Sequence, residues 1–252
     1  MTKAEILFTE TFTLWSNRFA DISSFRRISQ LGLPLGTAEI HDIYRDFAYD
    51  LFNDPVNEKF FIDKLKANMA VGGYENFGSM IAKHQLVNYN ASIDAASLVF
   101  AHSIVDNAVL NYCICSSLAN PTDWATFITK KNATIEDIIG FSKQEIINKK
   151  VADYIASLDR ESLVKKAGLL FAVCQPPEDF APIDNFEYDN DRLLQLDEMR
   201  HNIVHDSTAV PMLLNGDDDI LFLQQTTFFY MALVNYKYDL KLNLSHIEHK
   251  SK

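Results

Sequence analysis

Apolar residues recur at three- and four-residue spacing along most of the chain, which is the period of an amphipathic helix. The clearest example opens the chain, where five apolar residues alternate steps of four and three: Phe8, Phe12, Trp15, Phe19 and Ile22. Thr2 and Glu5 ahead of them have the spacing of a capping box. The pattern predicts an all-α protein whose first helix runs to about residue 30, where Gly32, Pro34 and Gly36 end it.

Capping residues and breaks divide the next part of the chain into further helices. Thr37 caps a second helix that reaches Leu51, and a shorter helix covers 56–69. Three glycines between Val71 and Gly78 resemble a phosphate-binding loop only superficially, because no Lys-Ser or Lys-Thr pair follows them. We interpret this glycine segment as a turn.

The longest apolar segment predicts a central helix over 93–118, capped by Ser92. Its apolar residues occupy most of the circumference, so we expect it to be buried on more than one side. Further helices lie between Thr134 and Ala172, one of them opened by a capping box at Ser142 and Glu145. The last helix runs from Ile220 to about residue 240 and is rich in aromatic residues.

Length and composition favour a single folded domain. The chain has 252 residues, of which 48% are hydrophobic, so it can bury a sizeable core. Eight glycines and seven prolines are few for this length, and no Gly/Ser-rich or Pro-rich linker divides the chain. We expect one all-helical domain over 1–252, with an N-terminal helical part at 1–90 and a core at 91–245.

The sequence predicts a soluble, cytoplasmic protein that does not contact a membrane. Its first residues are mixed in polarity and do not form the apolar region of a signal peptide. The most apolar run, 220–234, contains four polar residues and falls short of the ~20 residues that a bilayer requires. Cys113, Cys115 and Cys174 lie in apolar segments, and we interpret them as reduced core residues without zinc spacing.

The charge balance limits how nucleic acid could bind. A formal net charge of −11 argues against a general nucleic-acid coat, because affinity for phosphate backbones depends on Lys and Arg. Residues 130–166 differ, with eight basic and six acidic side chains. This segment could guide RNA to the protein, and a solvated helix face explains it equally well.

The densest group of reactive side chains lies on a predicted helix over 191–206, which follows a proline-rich loop at 175–182. Asp189 or Asn190 can cap this helix. Four apolar residues form its buried stripe: Leu193, Leu196, Met199 and Ile203. Arg200 lies at the edge of the stripe, where an unpaired cation is costly, so it requires a carboxylate of this chain or a phosphate of a ligand.

The segment Arg200-His-Asn-Ile-Val-His205 resembles the R-x4-6-H motif of the HEPN superfamily. The resemblance implies a multi-helix up-down bundle of HEPN type, here with additional N-terminal and inserted helices. It also implies a homodimer in which arginine and histidine from two subunits meet in a cleft. Many members are metal-independent endoribonucleases without a cofactor, which act on RNA as toxins, in abortive infection or in RNA processing. An antitoxin or regulatory partner is then possible.

The chemistry of RNA cleavage suits these side chains. His205 would be the main acid/base group, because histidine titrates near neutral pH. Arg200 would clamp the phosphate with its permanently charged fork, and His201 or Asn202 would orient one of the two. The resemblance further implies that an early core helix brings a polar or acidic residue to the cleft, and Asp106 is the best match. A satisfied core network or a solvent-facing seam is the alternative for Asp106.

Two other functions remain open from the sequence. Asp197, His201 and His205 share one face of the helix and could belong to a metal-dependent hydrolase. Positions i and i+8 span about 12 Å, however, so one helix cannot complete such a site. A non-catalytic helical module that binds a partner protein or a nucleotide is the second alternative.

Overall fold

The protein is all-α, as predicted. The computed structural model describes residues 1–53, 73–128, 139–205 and 216–242, and these contain helices and no strand. The helix predicted at 56–69, the helix start at Thr134 and the residues beyond 242 lie outside the described residues.

The described residues contain seven α-helices and one 3-10 turn. The helices are α1 (Lys3–Asn53), α2 (Gly73–Ala119), α3 (Pro121–Ala125), α4 (Lys143–Ser157), α5 (Leu163–Cys174), α6 (Asn190–His205) and α7 (Gly216–Tyr238). The 3-10 turn, Leu158–Arg160, joins α4 to α5. An irregular segment between α5 and α6 contains the predicted proline-rich loop.

The predicted break after residue 30 is wrong. Helix α1 continues without interruption from Lys3 to Asn53 and includes Gly32, Pro34 and Gly36. A proline inside a helix removes one backbone hydrogen bond and costs about 3 kcal/mol, and a glycine costs about 1 kcal/mol relative to alanine. Packing of the flanking turns can offset such local costs, because most helical stability in proteins comes from tertiary contacts.

The predicted start of the central helix is also wrong. Helix α2 begins at Gly73, passes through Gly78 and contains Ser92 in its interior, so the glycine turn and the serine cap are absent from it. Its end at Ala119 agrees with the prediction. Asn120 then caps the short helix α3 by accepting a hydrogen bond from the backbone of Thr122.

The predicted capping boxes are confirmed. At the start of α1, Thr2 N donates to Glu5 Oε2 at 2.7 Å and Glu5 N donates to Thr2 Oγ1 at 3.2 Å. The reciprocal pair between Ser142 and Glu145 opens α4 in the same way. Local sequence patterns therefore define these two helix starts correctly.

The described chain divides into two compact units. One consists of the described parts of Met1–Ile22, Leu98–Ala209 and Asn215–Lys252, and the other of the described parts of Ser23–Ser97. In this second unit, the buried Arg26 pairs with Asp94 at 2.5 Å and so links α1 to α2. The ion pair offsets part of the cost of burying the Arg26 charge.

The first unit is built around the second half of α2, from Leu98 onwards. Residues buried on this part of α2 include Ala101, Val105, Val109, Tyr112 and Cys113. They pack in a core with apolar side chains from the other helices: Phe8, Phe19, Trp124, Leu158, Leu170, Leu193, Leu223 and Leu233. This confirms that the helix is buried on more than one side.

The three cysteines are free and buried, which confirms their assignment to the core. Burial raises the pKa of all three thiols, and it raises that of Cys174 to about 12. They are therefore neutral apolar residues at physiological pH.

One helical stretch, Tyr89–Ala119, is long and apolar enough to cross a membrane by length and composition. It lies outside 220–234, the run that the sequence indicated as the most apolar. Half of its most apolar window is buried inside the protein. A core helix of a soluble protein has the same composition, so this stretch is weak evidence for a membrane span.

We expect Tyr112→Phe to destabilise the protein by about 1–3 kcal/mol, because Trp15 Nε1 donates to Tyr112 Oη at 2.7 Å in the core. Without the hydroxyl, a buried N–H has no acceptor. Urea unfolding measures the change, and Tyr236→Phe is the matched control because Tyr236 is 60% exposed. Equal effects of the two substitutions would contradict this account.

Candidate functional site

Helix α6 carries most of the predicted site residues, and its first half is fixed in the core. Asp189 Oδ1 accepts hydrogen bonds from the backbone of Asp191 and Arg192, so Asp189 is the N-cap. Leu193 and Leu196 are buried. Met199 and Ile203, the rest of the predicted stripe, are half-buried. The second half of α6 therefore lies nearer to the surface than the sequence predicts.

Contacts with α7 hold the start of α6 in place. Arg192 Nη2 lies 2.8 Å from Asp219 Oδ1, and the Arg192 guanidinium lies 4.6 Å from the ring centre of Phe222. Just before the helix, Tyr188 stacks on Phe229 with ring centroids 5.0 Å apart. These contacts fix the direction in which α6 leaves the core.

Deeper in the protein, α2 and α6 are joined by a hydrogen bond between His102 and Asp197. His102 Nε2 lies 2.7 Å from Asp197 Oδ1, and His102 is 5% exposed. Burial lowers the pKa of His102, and the bond to Asp197 opposes this effect without reversing it. His102 is therefore neutral at physiological pH and donates its Nε2 proton to the carboxylate.

Asp106, one helical turn after His102, pairs with a buried lysine of α5. Lys166 Nζ lies 2.5 Å from Asp106 Oδ1, and Lys166 is 1% exposed. Both Asp106 and Arg200 act electrostatically on His102, with opposite signs. Asp106 therefore joins His102 and Asp197 in one polar network, in which its ion-pair partner is Lys166.

The network borders an open groove of about 470 Å³ between α6 and the turn that leads into α5. The turn side supplies Arg160, Glu161 and Ser162. The α6 side supplies Asp197, Glu198, Arg200, His201 and Asn202. The groove therefore contains three of the five predicted site residues, namely Arg200, His201 and Asn202.

Arg200 has an unusual environment in this groove. Its Nε is buried and has no hydrogen-bond partner. Among the described residues, no carboxylate forms an ion pair with its guanidinium, because Asp197 and Asp106 are bonded to His102 and Lys166. A half-buried guanidinium in this state is ready to bind an anion that enters the groove.

His201 and His205 lie side by side on the exposed face of α6, with ring centroids 4.5 Å apart. His201 lines the groove, whereas His205 lies outside it at the end of the helix. A single chain therefore brings Arg200 close to His201 and leaves His205 on the neighbouring surface.

The residues suggested for a metal-dependent hydrolase are engaged differently. Asp197 is held by His102, while His201 and His205 are exposed. No group of three or more His, Cys, Asp or Glu side chains in the described part of the chain could hold a metal ion.

Three residues at or beside the site were not predicted from the sequence. His102 bonds Asp197, Lys166 pairs with Asp106, and Arg160 lines the groove. The requirement that polar groups on a buried helix be paired indicated that His102 has a partner. It could not identify Asp197, which is 95 positions away. Lys166 and Arg160 belong to the basic segment at 130–166, but their spacing alone does not distinguish a buried lysine from a solvated one.

Comparison with protein-family models, with curated proteins and with solved structures finds no match. The all-α fold is therefore established from this chain alone. The likeness to the HEPN superfamily rests on the residues from Arg200 to His205.

We expect the stability that neutral His102 contributes to be lost as the pH falls. The pKa of His102 lies below its ordinary value of 6.5, so the unfolded chain binds a proton at a pH where the folded protein does not. The contribution is complete above about pH 6.5 and declines below it. Urea unfolding between pH 5 and pH 8 should give a wild-type advantage over His102→Gln that shrinks on acidification. An advantage that grows on acidification would mean that the pKa is raised.

Proposed function

We propose that the protein is an HEPN-like metal-independent endoribonuclease in which Arg200 clamps the scissile phosphate of RNA. The observation that carries this proposal is the guanidinium of Arg200, which has no carboxylate partner among the described residues and borders an open groove beside His201. Arginine is suited to this role because its planar fork binds two phosphate oxygens at once.

Other groups of the groove can assist phosphate binding. Arg160 adds a second cation, and Asn202 and Ser162 add neutral donors. Arg160 belongs to the basic segment at 130–166, which gives this segment a concrete role at the groove. The Nε of Arg200 would gain an acceptor when a phosphate oxygen binds, so the ligand would remove the cost of an unsatisfied buried donor.

The proposed reaction is an internal transesterification. A histidine removes the proton of the ribose 2′-OH, the 2′-oxygen attacks phosphorus, and the bond from phosphorus to the 5′-oxygen breaks. A protonated histidine gives its proton to that leaving oxygen, so the products carry a 2′,3′-cyclic phosphate and a 5′-OH. Negative charge on the non-bridging oxygens is stabilised by Arg200.

His205 is the proposed main acid/base group, and His201 or Asn202 orients the reacting groups. Because His205 lies outside the groove of its own chain, we infer that the complete site needs a second chain. This agrees with the arrangement implied by the HEPN resemblance, in which arginine and histidine from two subunits share a cleft.

The surface of α7 fits a homodimer. Leu221, Phe228 and Tyr236 are exposed, and their spacing of seven and eight places them on one face of the helix. Exposed apolar residues aligned in this way are typical of subunit contacts. The occupant we propose for this face is α7 of a second copy.

A cytoplasmic role in toxin-based defence or in RNA processing follows from the same proposal. An antitoxin or another regulatory partner would then cover the groove when cleavage is unwanted. RNA is the proposed substrate, and the reaction needs neither a metal nor a cofactor.

The alternative is a non-catalytic helical module that binds a partner protein or a nucleotide. Two observations favour it. His205 lies apart from Arg200 in the single chain, and Glu161, Asp197 and Glu198 add three carboxylates to the groove. A mixed groove of this kind could bind a protein segment that carries both charges.

The wild-type protein should cleave single-stranded RNA in the presence of EDTA and leave 2′,3′-cyclic ends. Arg200→Ala and His205→Ala should each lower the rate by roughly 10²–10⁴, because each removes a group that acts on the transition state. His201→Ala should have a smaller effect. End-group analysis of the cleaved RNA measures both the rate and the product.

Arg18→Ala is the matched control for loss of a positive charge, because Arg18 is 63% exposed and lies on α1. It should cleave RNA at the wild-type rate. Activity that survives in both principal variants, or that stops with EDTA, would refute the mechanism. A complete lack of cleavage of any RNA by the wild type would favour the binding module.

Phe228→Glu should convert the homodimer into a monomer, because a charge at the centre of an apolar contact is desolvated without a partner. Light scattering measures the mass at micromolar concentration. Phe100→Glu makes the same change at an exposed phenylalanine of α2 and should leave the dimer intact. A wild-type protein that is monomeric from the start would exclude a shared site.

A further inference from the structure

The two carboxylates that act electrostatically on His102 are both paired with residues of other helices. Asp197 lies one turn before Arg200 on the same helix, and its Oδ1 is bonded to His102 Nε2 at 2.7 Å. Asp106 acts electrostatically on His102, as Arg200 does, and it is paired with Lys166 at 2.5 Å. Each carboxylate is thus held by a residue of another helix.

This arrangement runs against the pairing that local sequence favours. Residues at i and i+3 of a helix are neighbours, so Asp197 and Arg200 are placed to form an ion pair on the surface of α6. Such a pair would be bidentate and would occupy the fork of the guanidinium. The bond to His102 directs the Asp197 carboxylate toward α2 instead.

His102 itself cannot act on a substrate directly. It is 5% exposed and lies beneath the groove, where its Nε2 is committed to Asp197. Its neutral state is maintained by burial and by the nearby Arg200 cation. A neutral imidazole can donate to Asp197 without adding a second positive charge beside Arg200.

We propose that His102 is a positioning residue, which keeps Arg200 available to an external anion by holding Asp197 away from it. The identity of the anion as an RNA phosphate rests on the function proposed above. The availability of Arg200 is independent of the proposed function, because it depends only on contacts between groups of this chain.

A thermodynamic cycle tests the availability of Arg200 without RNA. Urea unfolding of the wild type, Asp197→Asn, Arg200→Ala and their combination gives the coupling between Asp197 and Arg200. In the wild-type background we expect the two substitutions to act independently. The change in the unfolding equilibrium constant of the double variant should then equal the product of the two single changes, which is a coupling near onefold. In a His102→Leu background Asp197 is released toward Arg200, and we expect a coupling of roughly threefold or more.

Two results of this cycle would overturn the proposal. One is a large coupling in the wild-type background, since Asp197 would then already hold Arg200. The other is a coupling that stays near onefold after His102→Leu. If His102→Leu does not fold, a large coupling in the wild-type background would still refute the proposal. The combination of His102→Leu with Asp197→Asn lacks the isolated buried carboxylate, and it can be used in place of His102→Leu to measure RNA cleavage.

RNA cleavage gives the second readout. His102→Leu should lower kcat/KM by roughly tenfold or more, because Asp197 then competes with the phosphate for Arg200. His102→Gln should retain more activity than His102→Leu, since its Nε2 can still donate to Asp197. Adding Asp197→Asn to His102→Leu should recover most of the loss, whereas a purely structural role would make the double variant worse.

The two experiments separate the two claims. If the wild type cleaves no RNA, the proposed function fails, and the unfolding cycle still tests whether His102 frees Arg200. If the wild type cleaves RNA but adding Asp197→Asn to His102→Leu does not recover kcat/KM, the positioning role of His102 is refuted. The proposal that the protein is a ribonuclease then still stands.

Discussion

The pairing of polar side chains on a buried helix is the constraint on which the first unit depends. Four polar groups on the core half of α2 are each bonded to a different element. Tyr112 accepts from Trp15 of α1, Ser116 accepts from Trp124 of α3, Asp106 pairs with Lys166 of α5, and His102 bonds Asp197 of α6. Because an unpaired buried group costs about 1–3 kcal/mol, these bonds select one arrangement of helices that apolar packing alone would leave less specific.

The direction of Arg200 follows from this constraint. The start of α6 is fixed to α7 through Arg192 and Asp219, and its middle is fixed to α2 through Asp197. Two attachments separated along one helix leave little freedom of rotation about its axis. The last turn then presents Arg200 and His201 to the groove, with His205 on the adjacent surface.

The sequence predicts what is local and misses what is distant. The caps at Thr2, Ser142 and Asp189 are correct because their hydrogen bonds join residues two or three positions apart. Pro34 and Gly78 are equally local signals, and both lie inside long helices that continue through them. A local helix-breaking cost of this size can be offset by tertiary contacts elsewhere along a helix, which a local pattern does not reveal.

The residues that bond to the candidate site cannot be predicted from the sequence, because they are far from it along the chain. His102 and Asp197 are 95 positions apart, and Trp15 and Tyr112 are 97 apart. No periodicity connects such pairs, since they meet only after several helices have packed. Sequence reasoning therefore located Arg200, His201, Asn202 and their helix, and it could not identify the groups that hold this helix.

Arg200 has no carboxylate partner among the described residues, and this is informative in such an acidic chain. Acidic residues outnumber Lys and Arg by 34 to 23, so a partner for any cation is easy to supply. Yet Nε of Arg200 is buried without an acceptor, while the carboxylate of Asp197, one turn earlier on the helix, bonds His102. Leaving a buried donor unsatisfied costs about 1–3 kcal/mol, and an anion that binds there recovers this cost. This unsatisfied donor is the physical basis for the proposal that an anion binds at Arg200.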